Sequence, residues 1–146
     1  MDYRSGCIGR VFWARLDDGE DLGECLQDLA RREAIGQALV LALGALGQAR
    51  VVVGPRETVI PPDPVWTAFT GGREILGVGT LVDSPEGPTL HMHIGAGRGQ
   101  EPTVVGCLRA ESQVYLTVEA VILEVTQLSA RREPDEKIGL NLLKFQ

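Results

Sequence analysis

Ser112-Gln113-Val114-Tyr115-Leu116-Thr117-Val118-Glu119-Ala120-Val121-Ile122-Leu123-Glu124-Val125-Thr126-Gln127 is the longest run of strand-forming residues in the chain. Side chains two apart on a strand share a face, so Val114, Leu116, Val118, Ala120 and Ile122 line up on one side. Tyr115, Thr117 and Glu119 begin a mixed opposite side that turns apolar at Val121, Leu123 and Val125. A strand that is apolar on both faces over its second half needs covering by a helix or by another subunit.

Working outward, the segments before it also read as strands, with one exception. Gly9 to Leu16 is rich in strand formers and ends in the turn signal Asp17-Asp18-Gly19. The period then changes: Leu22, Cys25, Leu26 and Leu29 recur at helical spacing, and Asp21 followed three residues later by Glu24 has the form of a capping box. This predicts a helix from Leu22 to Ala34, stopping near Gly36. Ala38 to Leu43 is a continuous apolar run of strand length, bounded by Gly44-Ala45-Leu46-Gly47, and Arg50 to Val53 reads as a further short strand. Pro61-Pro62-Asp63-Pro64 imposes an extended, irregular connection, because proline lacks an amide donor and restrains its neighbour.

Glu74 to Val82 and Leu90 to Ile94, joined by the turn sequence Asp83 to Pro88, predict an antiparallel hairpin. Gly77 and Gly79 within the first of these imply a bulge or a close approach of backbone. Thr103 to Cys107 is the last strand before the opening stretch. The order strand, helix, then many strands predicts an α+β fold, a mostly antiparallel sheet with one main N-terminal helix. No repeat or linker divides the 146 residues, so residues 1–146 form one domain with a core over 7–128 and a C-terminal extension over 129–146.

Composition narrows the function classes. The apolar share of 44% and charged share of 23% are those of a globular protein. The chain opens directly into strand-like sequence with no signal-type leader, which places it in the cytoplasm. A net charge of -6, from 14 basic and 20 acidic residues, is a poor general footprint for nucleic acid, whose binding rests on cations neutralising phosphates. Arg31-Arg32 and Arg131-Arg132 are each followed by glutamate and read as solvated faces. Cys7, Cys25 and Cys107 are odd in number and share no paired spacing, which argues against a disulfide framework. Cys25, at a helix-core position, reads as a small buried hydrophobe.

The chemistry-bearing pattern is Thr89-Leu90-His91-Met92-His93-Ile94, which holds the only two histidines of the chain at alternate positions of a strand. Both imidazoles therefore point to one face while Leu90, Met92 and Ile94 point to the other. Cys107 follows His93 by 14 residues, a distance over which the next strand of a meander returns beside the first. His91, His93 and Cys107 are the candidate metal ligands: zinc takes mixed nitrogen and sulfur donors, and three protein ligands leave an open position for water or a small molecule. The glycine-rich Gly95-Ala96-Gly97-Arg98-Gly99 lacks the Lys-Ser/Thr ending of a phosphate loop and precedes a strand, so it reads as a flexible turn.

Taken in succession, Gly9-Arg10-Val11, the Gly19-Glu20-Asp21-Leu22 turn into a helix, Gly44-Ala45-Leu46-Gly47, His91-Met92-His93 and Val105-Gly106-Cys107-Leu108 ahead of Val114 to Glu119 resemble the PPC domain (plants and prokaryotes conserved) over residues 7 to 128. The resemblance implies a homotrimer. It also implies a metal-holding role for the positions of His91 and His93, and the family often carries a histidine where Cys107 stands. In plant members the domain follows AT-hook segments that contact DNA; no Arg-Gly-Arg-Pro hook occurs here. The plant motif Gly-Arg-Phe-Glu-Ile-Leu is approximated by Gly72 to Leu76 without its phenylalanine. A more distant similarity of fold leads to acetolactate decarboxylase, which also uses a histidine-bound metal.

Three functional readings follow. The first is a homotrimeric binding or assembly module with a zinc site on His91, His93 and Cys107. The second is a DNA-binding protein, with arginines such as Arg10, Arg50, Arg98 and Arg109 gathered by the trimer. The third is a metal-dependent enzyme acting on a small carbonyl substrate, with Glu101 or Glu111 as base.

Overall fold

The computed structural model describes all 146 residues as seven strands and one helix. In chain order these are β1 (Cys7–Asp17), α1 (Leu22–Arg32), β2 (Gln37–Pro55), β3 (Pro64–Ser84), β4 (Gly87–Gly97), β5 (Val104–Thr126), β6 (Ala130–Asp135) and β7 (Leu140–Phe145). Five strands form one antiparallel sheet in the order β1-β5-β2-β3-β4. The far end then returns, because β4 also pairs with β5. Strands β2 to β5 thereby close into a small ring, with β1 further along the flank of β5 that β4 occupies.

The α+β expectation holds, with strands longer than the local patterns suggest. Ala38–Leu43 and Arg50–Val53 belong to one strand, and the segments read at 103–107 and 112–127 fall in another, Val104–Thr126. Glu74–Val82 is the second half of a strand that starts at Pro64. The glycines taken as strand ends are bends inside a strand. Gly44 has φ +135°, and a Cβ there would lie 2.3 Å from the Thr117 carbonyl oxygen, so only glycine lets β2 press against β5. Opposite it, Leu116 has φ +62°, which turns it out of the face shared by Val114 and Val118 and leaves it 65% exposed. Strict alternation therefore misplaces Leu116.

The core lies on one face of this curved sheet, beneath α1. Leu22, Leu26 and Ala30 of the helix pack with Val40, Val51, Met92, Ile94, Val118 and Ile122, all at most 1% exposed. Cys25 and Leu29 pack at its margin. The helix starts as its sequence predicts: the Asp21 carboxylate accepts the Glu24 amide at 3.0 Å. The same carboxylate accepts the Ser112 amide and hydroxyl, both at 2.8 Å, and the Ser112 hydroxyl accepts the Gly23 amide at 3.0 Å. One side chain thus caps the helix and ties it to β5. The helix stops at Arg32, with Ala34 in the left-handed region at φ +53°, ahead of the glycine expected to end it.

The C-terminal residues, undivided in the sequence reading, form the hairpin β6–β7. Arg132 on β6 reaches β3, where its Nη2 donates to Thr80 Oγ1 at 2.9 Å.

Asp21→Ala removes both the cap and the buried link to Ser112. It should lower unfolding stability by about 2 kcal/mol, read as a shift of the denaturation midpoint at unchanged slope.

Candidate metal centre

The hairpin β3–β4 pairs without a register break from Glu74↔Gly97 to Ser84↔Gly87, and this fixes which face each β4 side chain takes. Met92, Ile94 and Ala96 enter the core, leaving His91 and His93 on the outer face. Glycines keep the strands close. A Cβ at Gly79 would sit 2.8 Å from the His91 carbonyl oxygen, and one at Gly106 would sit 2.5 Å from the Val52 carbonyl oxygen. Gly79 therefore marks a close approach of backbone, whereas Gly77 makes room for the Met92 and Ile94 side chains; the unbroken register leaves no bulge there.

Ring closure completes the cluster. Cys107 is the direct cross-strand partner of His93, so its side chain shares the histidines' face. The ligand atoms of His91, His93 and Cys107 all lie within 4.8 Å of one another. The two imidazoles stand edge to face, with centroids 5.2 Å apart and planes at 78°. Both are solvent-exposed, whereas Cys107 is only 5% exposed. Its thiol makes one weak contact, 3.9 Å to the Leu108 carbonyl, so nothing in the chain competes strongly for the sulfur.

The surroundings favour neutral donors. Burial, then the positive charges of Arg132, His93 and Arg109, hold the His91 pKa below the usual imidazole value. Burial pushes the Cys107 thiol up, opposed by Arg109 and Arg132. His91 opens onto a cavity of about 640 Å³ between β4 and the β6–β7 hairpin. His93 instead borders an apolar groove of about 580 Å³ lined by Trp13, Leu41, Leu43, Leu76, Val78 and Val105.

Other residues singled out in the sequence are placed elsewhere. Glu101 receives Arg73 at 2.5 Å and Glu111 lies 3.7 Å from Arg50; neither lines the cavity beside His91, whose carboxylates are Asp135 and Glu136. Arg10 is held by Glu124 at 2.8 Å and Glu33 at 3.1 Å, and Arg98 lies 3.6 Å from Glu101. Of the four arginines considered for DNA, Arg109 alone has no carboxylate partner. The expectation of two solvated arginines at 131 and 132 fails for Arg132, which is 9% exposed. No local pattern signals this, because its burial comes from the hairpin packing against β3.

The family model of the Plants and Prokaryotes Conserved (PCC) domain matches residues 3–126. The chain belongs to this family. Among curated relatives of the PCC chain is the bifunctional protein GlmU of Synechococcus sp. (strain JA-2-3B'a(2-13)), 32% identical over 140 residues; 94% of this chain matches only 20% of that protein's length. Among solved structures, the metal-containing protein AF0104 from Archaeoglobus fulgidus superimposes with TM-score 0.86 at 25% identity over 99% of both chains. A PPC protein from Pyrococcus horikoshii matches with TM-score 0.84 at 19% identity, over 99% of this chain and 97% of that one. A chain from Ralstonia eutropha JMP134, named as a candidate DNA-binding protein, matches with TM-score 0.78 at 19% identity over 92% and 90%. The last two likenesses are likenesses of fold.

Thiol reactivity should follow this geometry. At neutral pH iodoacetamide should label exposed Cys7 much faster than buried Cys107, measured by peptide mass spectrometry over time.

Proposed function

We propose that this PCC domain is a homotrimeric binding and assembly module whose working site is a metal centre on His91, His93 and Cys107, with zinc as the ion. The observation that carries the reading is the convergence of two imidazoles and one thiol within 4.8 Å, from two strands paired in register. The donor chemistry fits zinc, which accepts mixed nitrogen and sulfur ligands and, with three from protein, keeps one position open. A bound ion would supply an electropositive coordination position to water or a small ligand. The chain's own contribution is to favour the neutral form of His91 and to set the sulfur in a dry wall. The metal content named for AF0104 is a property of that protein and lends support by likeness.

Assembly is supported by the outer face of the sheet. Trp13, Leu43, Leu76, Val78 and Val105 are each more than half exposed in the single chain and form one apolar surface that borders His93. Burial of that face in a trimer would bring the metal centre next to a subunit boundary. The DNA reading draws on the Ralstonia neighbour's name, but three of its four arginines face carboxylates of the chain. The enzyme reading lacks its base, since Glu101 and Glu111 serve arginines.

Protein purified without an affinity tag should hold about one zinc per chain by elemental analysis. His91→Ala combined with His93→Ala should remove it, and metal-free wild-type protein would refute the centre. Because the thiol is protonated at neutral pH, zinc uptake by stripped protein should release about one proton per ion. Titration calorimetry in two buffers of different ionisation enthalpy measures this, and Cys107→Ala should abolish the release. Sedimentation equilibrium should give three times the chain mass; a monomer at micromolar concentration would exclude the assembly.

A further inference from the structure

Two arginines in this fold are nine-tenths buried, and they differ in one respect. Arg73 donates to the Glu101 carboxylate at 2.5 Å, which neutralises it. Arg132 has no carboxylate partner: Nη2 meets the neutral hydroxyl of Thr80 at 2.9 Å, and its buried Nε has no acceptor. A guanidinium stays charged in a protein interior and carries five donors, so a buried one with a single neutral partner is short of a counter-charge.

The surroundings of Arg132 indicate what supplies it. Arg132 lines the cavity of about 640 Å³ between β4 and the β6–β7 hairpin, together with Arg109, which also lacks an acidic partner, and with His91 and Asn141. That volume is of the size that small-molecule sites have. The opposing charges are Asp135 and Glu136. Asp135 Oδ1 already accepts the amides of Lys137 and Ile138 at 3.1 and 3.0 Å, and Glu136 is exposed. A guanidinium fork matches two oxygens of one anion.

We propose that Arg132 and Arg109 form a subsite for a small oxyanion, phosphate or carboxylate, in the cavity between β4 and the β6–β7 hairpin. The subsite stands on the two arginines and does not require the metal centre. His91 lines the same cavity, so an ion at that centre would add positive charge to its wall and tighten anion binding.

The test is calorimetric titration of the full chain with inorganic phosphate and, separately, with acetate at low ionic strength. Both zinc-loaded and chelator-stripped protein are used. Saturable binding of about one anion per chain is expected for at least one probe, and the stronger probe identifies the class. Arg132→Met should weaken it about tenfold or more, as loss of a charge-assisted hydrogen bond does. Arg109→Gln, an exposed change, should weaken it several-fold with the thermal midpoint in anion-free buffer unchanged, which keeps the test valid if the buried variant folds poorly. Binding by stripped protein that either substitution weakens supports the subsite even if the metal centre fails. Retained zinc without anion binding by either probe overturns the subsite and leaves the metal centre standing; the counter-charge would then be a carboxylate of a neighbouring subunit. Anion binding indifferent to both substitutions overturns it as well.

Discussion

Pairing of β4 with β5 is the constraint on which the rest of this structure depends. An open sheet in the order β1-β5-β2-β3-β4 would hold β4 at its far edge, with three strand spacings between it and β5. Closure requires β5, still paired with β2 as far as Cys107, to run on past the end of β1 and take β4 on that flank. Its 23 residues do so through irregularities at Glu111 and Leu116, both with positive φ, against a partner strand relieved by Gly44. The site and the core follow from that bend: it seals the core under α1 and carries Cys107 to His93.

Backbone geometry and donor chemistry are coupled at this seam. Alternation along β4 commits Met92 and Ile94 to the core, which obliges His91 and His93 to face outward. Cross-strand pairing commits Cys107 to the same face. Gly79 lets β3 lie close against β4, and Gly106 lets β5 lie close against β2, beside the three donors. The gradient from exposed imidazole to buried sulfur suits an ion approached from solvent and backed by protein. The Asp21–Ser112 link serves the same end from the other side, because it holds α1 over β5 five residues beyond Cys107.

Charge is distributed with equal economy. Most arginines are matched within the chain, Arg10 with Glu124 most fully: hydrogen bonds from Arg10 hold the Glu124 pKa at about 2. Arg32, Arg109, Arg131 and Arg132 have no carboxylate partner, and of these Arg109 and Arg132 stand out because they line one cavity, as does the apolar outer face. These two arginines lie on the His91 side of the His91–His93–Cys107 cluster and the apolar face on the His93 side, so the candidate centre sits between a polar cavity and a hydrophobic surface.

What the sequence determined by itself was local. Apolar periodicity identified the helix, Asp21 its cap, the Asp83–Pro88 turn the β3–β4 hairpin, and alternation the shared face of His91 and His93. These depend on residues within a few positions of each other, where propensity and period act directly. Tertiary structure decided what depends on distant partners. Long strands look like separate short ones because glycine bends inside a sheet and glycine turns outside it have the same composition. Leu116 breaks alternation at a bulge that no neighbouring residue announces, and Arg132 is buried by a hairpin packing 52 positions away from Thr80. Cys107 lies between the two cases: its residue type and distance from His93 suggested a ligand, but only ring closure, a pairing set by packing of the whole sheet, places the sulfur beside the imidazoles.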